Sequence, residues 1–453
     1  MTARSNPSSA DPARVLAPGR LPALSPALAL AAALPIVFLH IDYQPSFVVA
    51  AGPSVTVTLA DLAILAVAAL AAVAAVRSRL RPLRAGLPIW VAAAAFLLFG
   101  IARSGNGTHL VSALKFAEYA ALALAVPLLV RGSAELRLLL VTVALWAAVA
   151  STVGLAQFFG AGIAGGWGAG SRQPSFLGQL DFAALSGMAL TVGLAGLALG
   201  PARVGGHRIV ALATAAGVLG LVLSASVAAL AGFGAATAAV AVVALRHHRL
   251  QPRATAAGAV AVALVIAGTL ALRGGDLVQF TRFLGLNDSV ASASASKDVQ
   301  TYGQRTVLVW IGWQVFLDHK ATGVGWNGSS DPRSFEAYLP AARQRFPEAA
   351  PLSFPSREHP WGVQNAYVQA LADLGIVGFA LLVALLVAGL WVAARAALRG
   401  TALLAGSLAL GWLLVTMGVW AALGLIAGVP ADAALWLGLG LAAASSRLEA
   451  ADA

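Results

Sequence analysis

The apolar residues of this chain come in long unbroken runs. They show neither the alternation of a half-buried strand nor the single stripe of a surface helix. About twenty such residues make a helix that crosses the roughly 30 Å of bilayer hydrocarbon. On that rule the sequence predicts spans near 24–41, 57–76, 86–103, 110–130, 136–158, 179–199, 208–224, 226–245, 254–272, 375–394, 401–427 and 430–446. The seventh and eighth are separated only at LVLSASVAAL, where Ser224 and Ser226 mark a tight turn between two helices. Continuous runs are unlike the alternating strands of a membrane β-barrel, and helices satisfy their own backbone where hydrocarbon offers no partners. The expected fold class is all-α: a polytopic membrane protein of about twelve transmembrane helices, with one large extracytoplasmic loop containing short helices.

The polar breaks orient these helices. Arg77, Arg79, Arg81 and Arg84 follow the second span, Arg131 and Arg137 the fourth, and Arg203 and Arg208 the sixth. Arg246, Arg249 and Arg253 follow the eighth, and Arg395 and Arg399 the tenth. The alternate short breaks hold little more than Asp42, Arg103, Arg172 and Asp432. Arginine-rich loops stay in the cytoplasm, so both termini are expected on that side of the cytoplasmic membrane. The expected division is a disordered cytoplasmic tail (1–22), N-terminal membrane helices (23–272), the large extracytoplasmic loop (273–374), C-terminal membrane helices (375–446) and a short cytoplasmic tail (447–453).

Within the large loop, 285–300 is low in complexity and expected to be flexible. A helix is expected from Thr301, with Val307, Val309, Trp310, Trp313 and Phe316 at the membrane interface, where tryptophan is favoured. Residues 364–374 form a helix that leads into the tenth span through Gly375 and Gly378.

Composition removes several alternatives. Charged residues make up 10% of the chain, against roughly a quarter in soluble domains. The net charge of +11 does not point to nucleic acid, because the arginines sit where the positive-inside rule puts them. There is no cysteine, hence no thiol nucleophile, disulfide or thiolate metal site. The histidines lack metal-site spacing, and the sequence has no P-loop, dinucleotide fingerprint or nucleophile elbow. No metal and no cofactor are expected.

The remaining chemistry lies in a few polar residues. Arg305 heads the aromatic helix, either as a fixed cation holding a phosphate through its planar fork of donors or as an arginine reaching lipid headgroups. Arg172 is the one charge in GIAGGWGAGSRQPSFLGQL, with either a ligand or Asp181 as its counter-charge. Lys115 and Glu118, three apart within the fourth span, share a helix face. Charge inside a membrane marks a functional site by default, although a neutralising structural pair is the plainer reading. His359 and Glu358 in SREHPWG are candidate proton acceptors. Asp61 in the second span has no assignable role.

The order of Arg305 and Trp310 on one helix, a GVG turn (Gly323, Val324, Gly325), a polar loop and QNAYVQALADLGIVG resembles the O-antigen ligase and polysaccharide polymerase superfamily. These are membrane glycosyltransferases with the pattern R…W…P-x-x-G-x-G, then H-N-x-Y-L-x-x-L-x-E-x-G-x-x-G. RQPSFLGQLDFAALSGM is similar to the family's earlier arginine segment. The resemblance implies transfer of a glycan from an undecaprenyl-diphosphate carrier to a hydroxyl of another glycan, a lipid or a protein. It implies that Arg172 and Arg305 grip the donor pyrophosphate and stabilise charge on the leaving group, with inversion and without a metal.

Three places depart from the pattern. Gln364 stands where the family has histidine, and a glutamine cannot act as a general base. Either His359 substitutes, or Gln364 orients the hydroxyl, or the chain works differently. Ala321 and Thr322 precede the GVG turn where the family has proline, and Asp373 stands for the common glutamate. A transporter or flippase, or a non-catalytic member of a surface-glycan assembly, is the alternative reading. Polymerase and ligase share the donor end and are not separated by these residues.

Overall fold

The computed structural model describes residues 25–50, 54–249, 251–283, 297–425 and 430–448. The expected tail at 1–22, all but the first two residues of the expected tail at 447–453, and most of the low-complexity stretch (285–296) lie outside the described residues. In chain order the helices are α1 (Ala27–Val37), α2 (Leu59–Ser78), α3 (Leu87–Ala102), α4 (Gly107–Glu118), α5 (Ala120–Leu129), α6 (Ser133–Phe158), α7 (Gln179–Leu199), α8 (His207–Ser224), α9 (Val227–Arg246) and α10 (Pro252–Phe283). They continue with α11 (Lys297–Asp318), α12 (Pro332–Phe335), α13 (Leu339–Arg345), α14 (Ala366–Leu398), α15 (Leu403–Val419) and α16 (Pro430–Leu448).

Among the described residues nine helices are long and apolar enough to cross a membrane, α4 and α5 acting as one. The chain is a multi-pass membrane protein. The run expected at 24–41 folds as the eleven-residue α1, and the run expected at 401–427 as the seventeen-residue α15. Both are shorter than a typical span; with α16, which is also not among the nine, they make up the difference from the expected twelve. The split at Ser224 and Ser226 is a turn at Ala225, whose φ of 43° is left-handed.

The all-α expectation needs one correction. The segment between α1 and α2 forms an antiparallel ribbon, β1 (Ser46–Ala50) with β2 (Ser54–Thr58), in which Phe47 pairs with Val57 and Val49 with Val55. The alternating β-branched residues of SVTVT favour a pleated ribbon. Thr58 then ends it by capping α2 in a reciprocal box with Asp61.

Helix α7 lies at the centre, with almost its whole length buried. Helices α8, α9 and α15 pack on it, and α16 is buried along nearly all its length. Polypeptide ends meet as an up-and-down path requires. At one end His40 N–H donates to Phe176 O (3.2 Å), Gln173 N–H to Leu223 O (2.8 Å) and Ala366 N–H to Trp420 O (2.9 Å). At the other end Arg447 bonds Pro127 O and His247 contacts Ala397 O.

The segment expected as one large loop is largely helical. Helix α10 runs eleven residues past 272 to Phe283, and α11 begins at Lys297, so 297–300 are its first turn rather than flexible chain. One face of α11 (Val307, Ile311, Val315) holds Phe335, Ala342 and Phe354 in a small core of their own. The cap so formed is closed on its exposed side by Arg357, which donates to both oxygens of Glu336 (2.6 and 3.1 Å). Those hydrogen bonds keep the Glu336 carboxyl below the usual glutamate range.

A main-chain clasp joins the cap to the bundle. Helix α14 breaks at Gly375 (φ 64°, ψ −166°). Residues 376–398 beyond the break are roughly 35 Å long at 1.5 Å per residue, which matches the hydrocarbon core. At the break, Ile376 N–H donates to Lys320 O (2.8 Å), Val324 N–H to Ala372 O (3.0 Å) and Gly325 N–H to Asp373 O (2.7 Å). The two backbones approach so closely that a Cβ on Gly375 would stand 2.4 Å from the main chain of Ala321, and one on Gly323 2.3 Å from that of Asp373. The Asp373 carboxylate accepts from Ser329 N–H (2.8 Å) and Gln369 Nε2 (2.9 Å). Trp326, at 2% exposure, plugs the turn between α3 and α4 against Phe96 and Phe116, its Nε1–H on Ser112 Oγ (3.2 Å).

Both glycines have left-handed φ and no room for a side chain. Gly375→Ala and Gly323→Ala are each expected to cost more than about 3 kcal/mol, and Trp326→Ala about 3–5 kcal/mol. Gly234→Ala, with nothing within 4 Å, is expected to be neutral or slightly stabilising. Thermal unfolding of the purified variants in detergent checks all four.

Candidate functional site

The clasp brings the start of α11 against the residues that precede α14. Asn365 caps α14 by accepting from Tyr367 N–H (3.1 Å) and Val368 N–H (3.0 Å), while its Nδ2 donates to Ala421 O (3.0 Å) at the end of α15. That fixes Gln364. Arg305, on α11, donates from Nε to Gln364 Oε1 at 3.1 Å. Arg305 and Val309 are one turn apart and face a cavity of about 400 Å³, while Val307 and Ile311 on the other side of α11 face the cap.

The cavity draws on six helices or their ends. Arg305, Thr306 and Val309 come from α11, and Arg273 from α10. Val227, Ala228 and Ala231 come from the start of α9 with its cap Ser226, Gln179 from the start of α7, and Gln364, Ala421 and Ala422 from the α14 and α15 ends. Among the described residues, two guanidinium groups, two amides and two hydroxyls line it, and no carboxylate does. Arg273 is 3% exposed and donates from Nη1 to Ala225 O (3.2 Å). Gln179 Nε2 donates to Ser224 O (2.9 Å), and Ser226 Oγ accepts from Ala229 N–H (3.2 Å). The first turn of α9 therefore opens on the cavity beside two arginines, and a helix N-terminus favours negative charge. The arrangement suits an anion with several oxygens, which planar guanidinium forks bind well.

The residues expected from sequence divide. Arg305 and Gln364 line the cavity together. Arg172 is buried near the same end of the bundle, its guanidinium 4.7 Å over the Trp167 ring. Its neighbour Gln173 is fixed to Leu223, three residues before Ser226, but Arg172 itself is not among the lining residues. Asp181, its expected counter-charge, accepts from Ala431 N–H (2.8 Å) at the start of α16. His359 is exposed, outside the lining, and stacked on Trp361. Sequence reasoning missed Arg273. It ends the apolar run LALRGGD on the arginine-poor side, where it was taken only as the first residue of a loop.

Residues 211–383 match the protein family described as O-antigen ligase. The match covers α8 to the first half of α14 and includes Arg273, Arg305 and Gln364. It supports the superfamily to which the GVG and QNAYVQALADLGIVG motifs are similar. No curated protein matches the chain.

The intramembrane pair proves to be part of a larger cluster. Lys115 on α4 donates to Asp61 on α2, both side chains less than a fifth exposed. Glu118, one turn further on, lies against the same carboxylate. Asp61 thus joins α2 to α4 while capping α2. Lys115→Ala leaves two carboxylates facing each other and is expected to cost about 3 kcal/mol, as for breaking a buried pair from one side. The double variant Lys115→Met with Asp61→Asn is expected to recover part of that loss in thermal unfolding.

Proposed function

We propose, from the O-antigen ligase domain that residues 211–383 carry, that this membrane glycosyltransferase takes a glycan from undecaprenyl diphosphate and passes it to an acceptor hydroxyl. The cap faces the extracytoplasmic side of the inner or plasma membrane, both termini lie in the cytoplasm, and twelve passes satisfy that topology. The observation that carries the reading is the cavity in which Arg305 and Arg273 converge with Gln364 and the first turn of α9, with no negative charge among its described lining residues. The donor diphosphate is an anion of this kind, and its charge grows as the sugar departs.

In the proposed step the bond between the anomeric carbon and the diphosphate oxygen breaks as the acceptor oxygen bonds to that carbon from the opposite face, with inversion. The electron pair stays on the diphosphate, where Arg305 and Arg273 stabilise it, and the acceptor proton leaves. Arg172, in the adjoining buried loop, adds positive charge at the same end of the bundle. Gln364 accepts from Arg305, so its amide N–H2 is turned toward donation. It therefore fixes the guanidinium and orients an oxygen rather than taking a proton. His359, on the exposed loop outside the cavity lining, remains the proton acceptor proposed from sequence, and it receives the acceptor proton through water. The residues themselves hold the charge, so no metal is invoked.

Arg305→Ala is expected to abolish glycan transfer in cells deleted for the chromosomal copy. Arg305→Lys, which keeps the charge but loses the fork, is expected to lose about 1.5–3 kcal/mol of binding, more than tenfold. Binding of undecaprenyl diphosphate to the protein in nanodiscs is expected to weaken in the same order. Unchanged binding in Arg305→Ala would sink the assignment. The gel profile of surface glycan in the deletion separates the two transfer modes: single units left unextended indicate a polymerase, and long carrier-linked chains a ligase.

A further inference from the structure

The loop between the cap core and Gln364 presents an aromatic ring that packing does not explain. Trp361 is 40% exposed, and the His359 imidazole stacks on it with centroids 5.6 Å apart and planes at 28°. The loop is held rather than loose. Ser356 N–H donates to His359 O (2.9 Å), His359 N–H to Ser356 Oγ (3.1 Å) and Trp361 N–H to His359 O (2.8 Å). Ser356 Oγ in turn donates to Glu358 Oε2 (3.1 Å). Pro355 and Pro360 restrict the backbone, the Arg357–Glu336 bonds tie it to the cap, and buried Phe354 and Val363 pin its two ends.

We infer that the His359–Trp361 pair is a docking platform for a pyranose ring of the acceptor glycan. The C–H face of such a ring carries slight positive charge and stacks on the negative face of an aromatic ring. Its equatorial hydroxyls need planar polar partners beside that ring, and the His359 imidazole and the exposed Glu358 carboxylate supply them. The position fits the acceptor. Gln364 is three steps along the chain from Trp361, so their Cα atoms are at most roughly 11 Å apart. A sugar seated on Trp361 is therefore held within reach of the segment that carries Gln364 into the cavity lining. The inference rests on the transferase reading and narrows it: among glycan, lipid and protein, the acceptor is a glycan. His359 then serves as a positioning residue as well as a proton acceptor.

The test uses the full chain. In deletion cells, Trp361→Ala is expected to lower glycan transfer about tenfold, the factor corresponding to 1.4 kcal/mol of lost binding. Trp361→Phe, which keeps an aromatic face, is expected to stay close to wild type. Undecaprenyl diphosphate binding in nanodiscs is expected to be the same for both variants and wild type. Oxidative labelling of the nanodisc protein, read by peptide mass spectrometry, is expected to modify Trp361 strongly. Wild-type transfer in Trp361→Ala, or equal loss in Ala and Phe, overturns the platform. Weak labelling, meaning that the bilayer covers the ring as an interfacial anchor, overturns it too. A failed donor site shows itself separately, as unchanged diphosphate binding in Arg305→Ala.

Discussion

The structure depends on the main-chain clasp between the GVG turn and the break in α14. Four backbone hydrogen bonds cross it, and they are possible only because neither Gly323 nor Gly375 carries a Cβ. Without the clasp, α14 has no reason to break where it does. The nine residues before the break would then not turn back over the end of α15, and Gln364 would not meet Arg305. The motif glycines, Asn365, Tyr367 and Asp373 all serve this joint. Asn365 caps the helix, Tyr367 Oη–H bonds Met417 O (2.7 Å), and Asp373 holds Ser329 and Gln369. Most of the motif is thus architecture, and Arg305 with Gln364 is the part that faces the cavity.

The second constraint is electrostatic. Guanidinium groups are costly to bury, and the cost falls only with hydrogen bonds or opposite charge. Here the scaffold contributes carbonyl and amide oxygens: Ala225 O for Arg273 and Gln364 Oε1 for Arg305. It places no carboxylate among the described lining residues. Neutral oxygens hold the arginines in position, and the described lining residues include no carboxylate, an arrangement that suits an anionic ligand. The carboxylates at this end of the bundle are used elsewhere, Asp181 on α16 and Asp373 within the clasp.

Legibility in the sequence followed the length scale of the signal. Long apolar runs gave the helices, because twenty such residues have few other fates. Short elements were lost: the ribbon at 46–58 was hidden between two spans, and α1 and α15 fall short of the runs that contain them. Arg305 and Gln364 were readable because one continuous motif holds both. Arg273 was not, since its meaning comes from α10 standing beside α9, and Asp61 needed the contact between α2 and α4 before its partner Lys115 appeared. His359 was placed near the chemistry by closeness in sequence, but its loop turns the ring onto Trp361 instead of into the cavity.

The most direct test is a cryo-electron microscopy structure of the protein in nanodiscs with undecaprenyl diphosphate. The account predicts diphosphate density between Arg273 and Arg305, with oxygens about 3 Å from both guanidinium groups and within reach of the first turn of α9. Diphosphate density seated elsewhere on the protein, with that cavity empty, would contradict it.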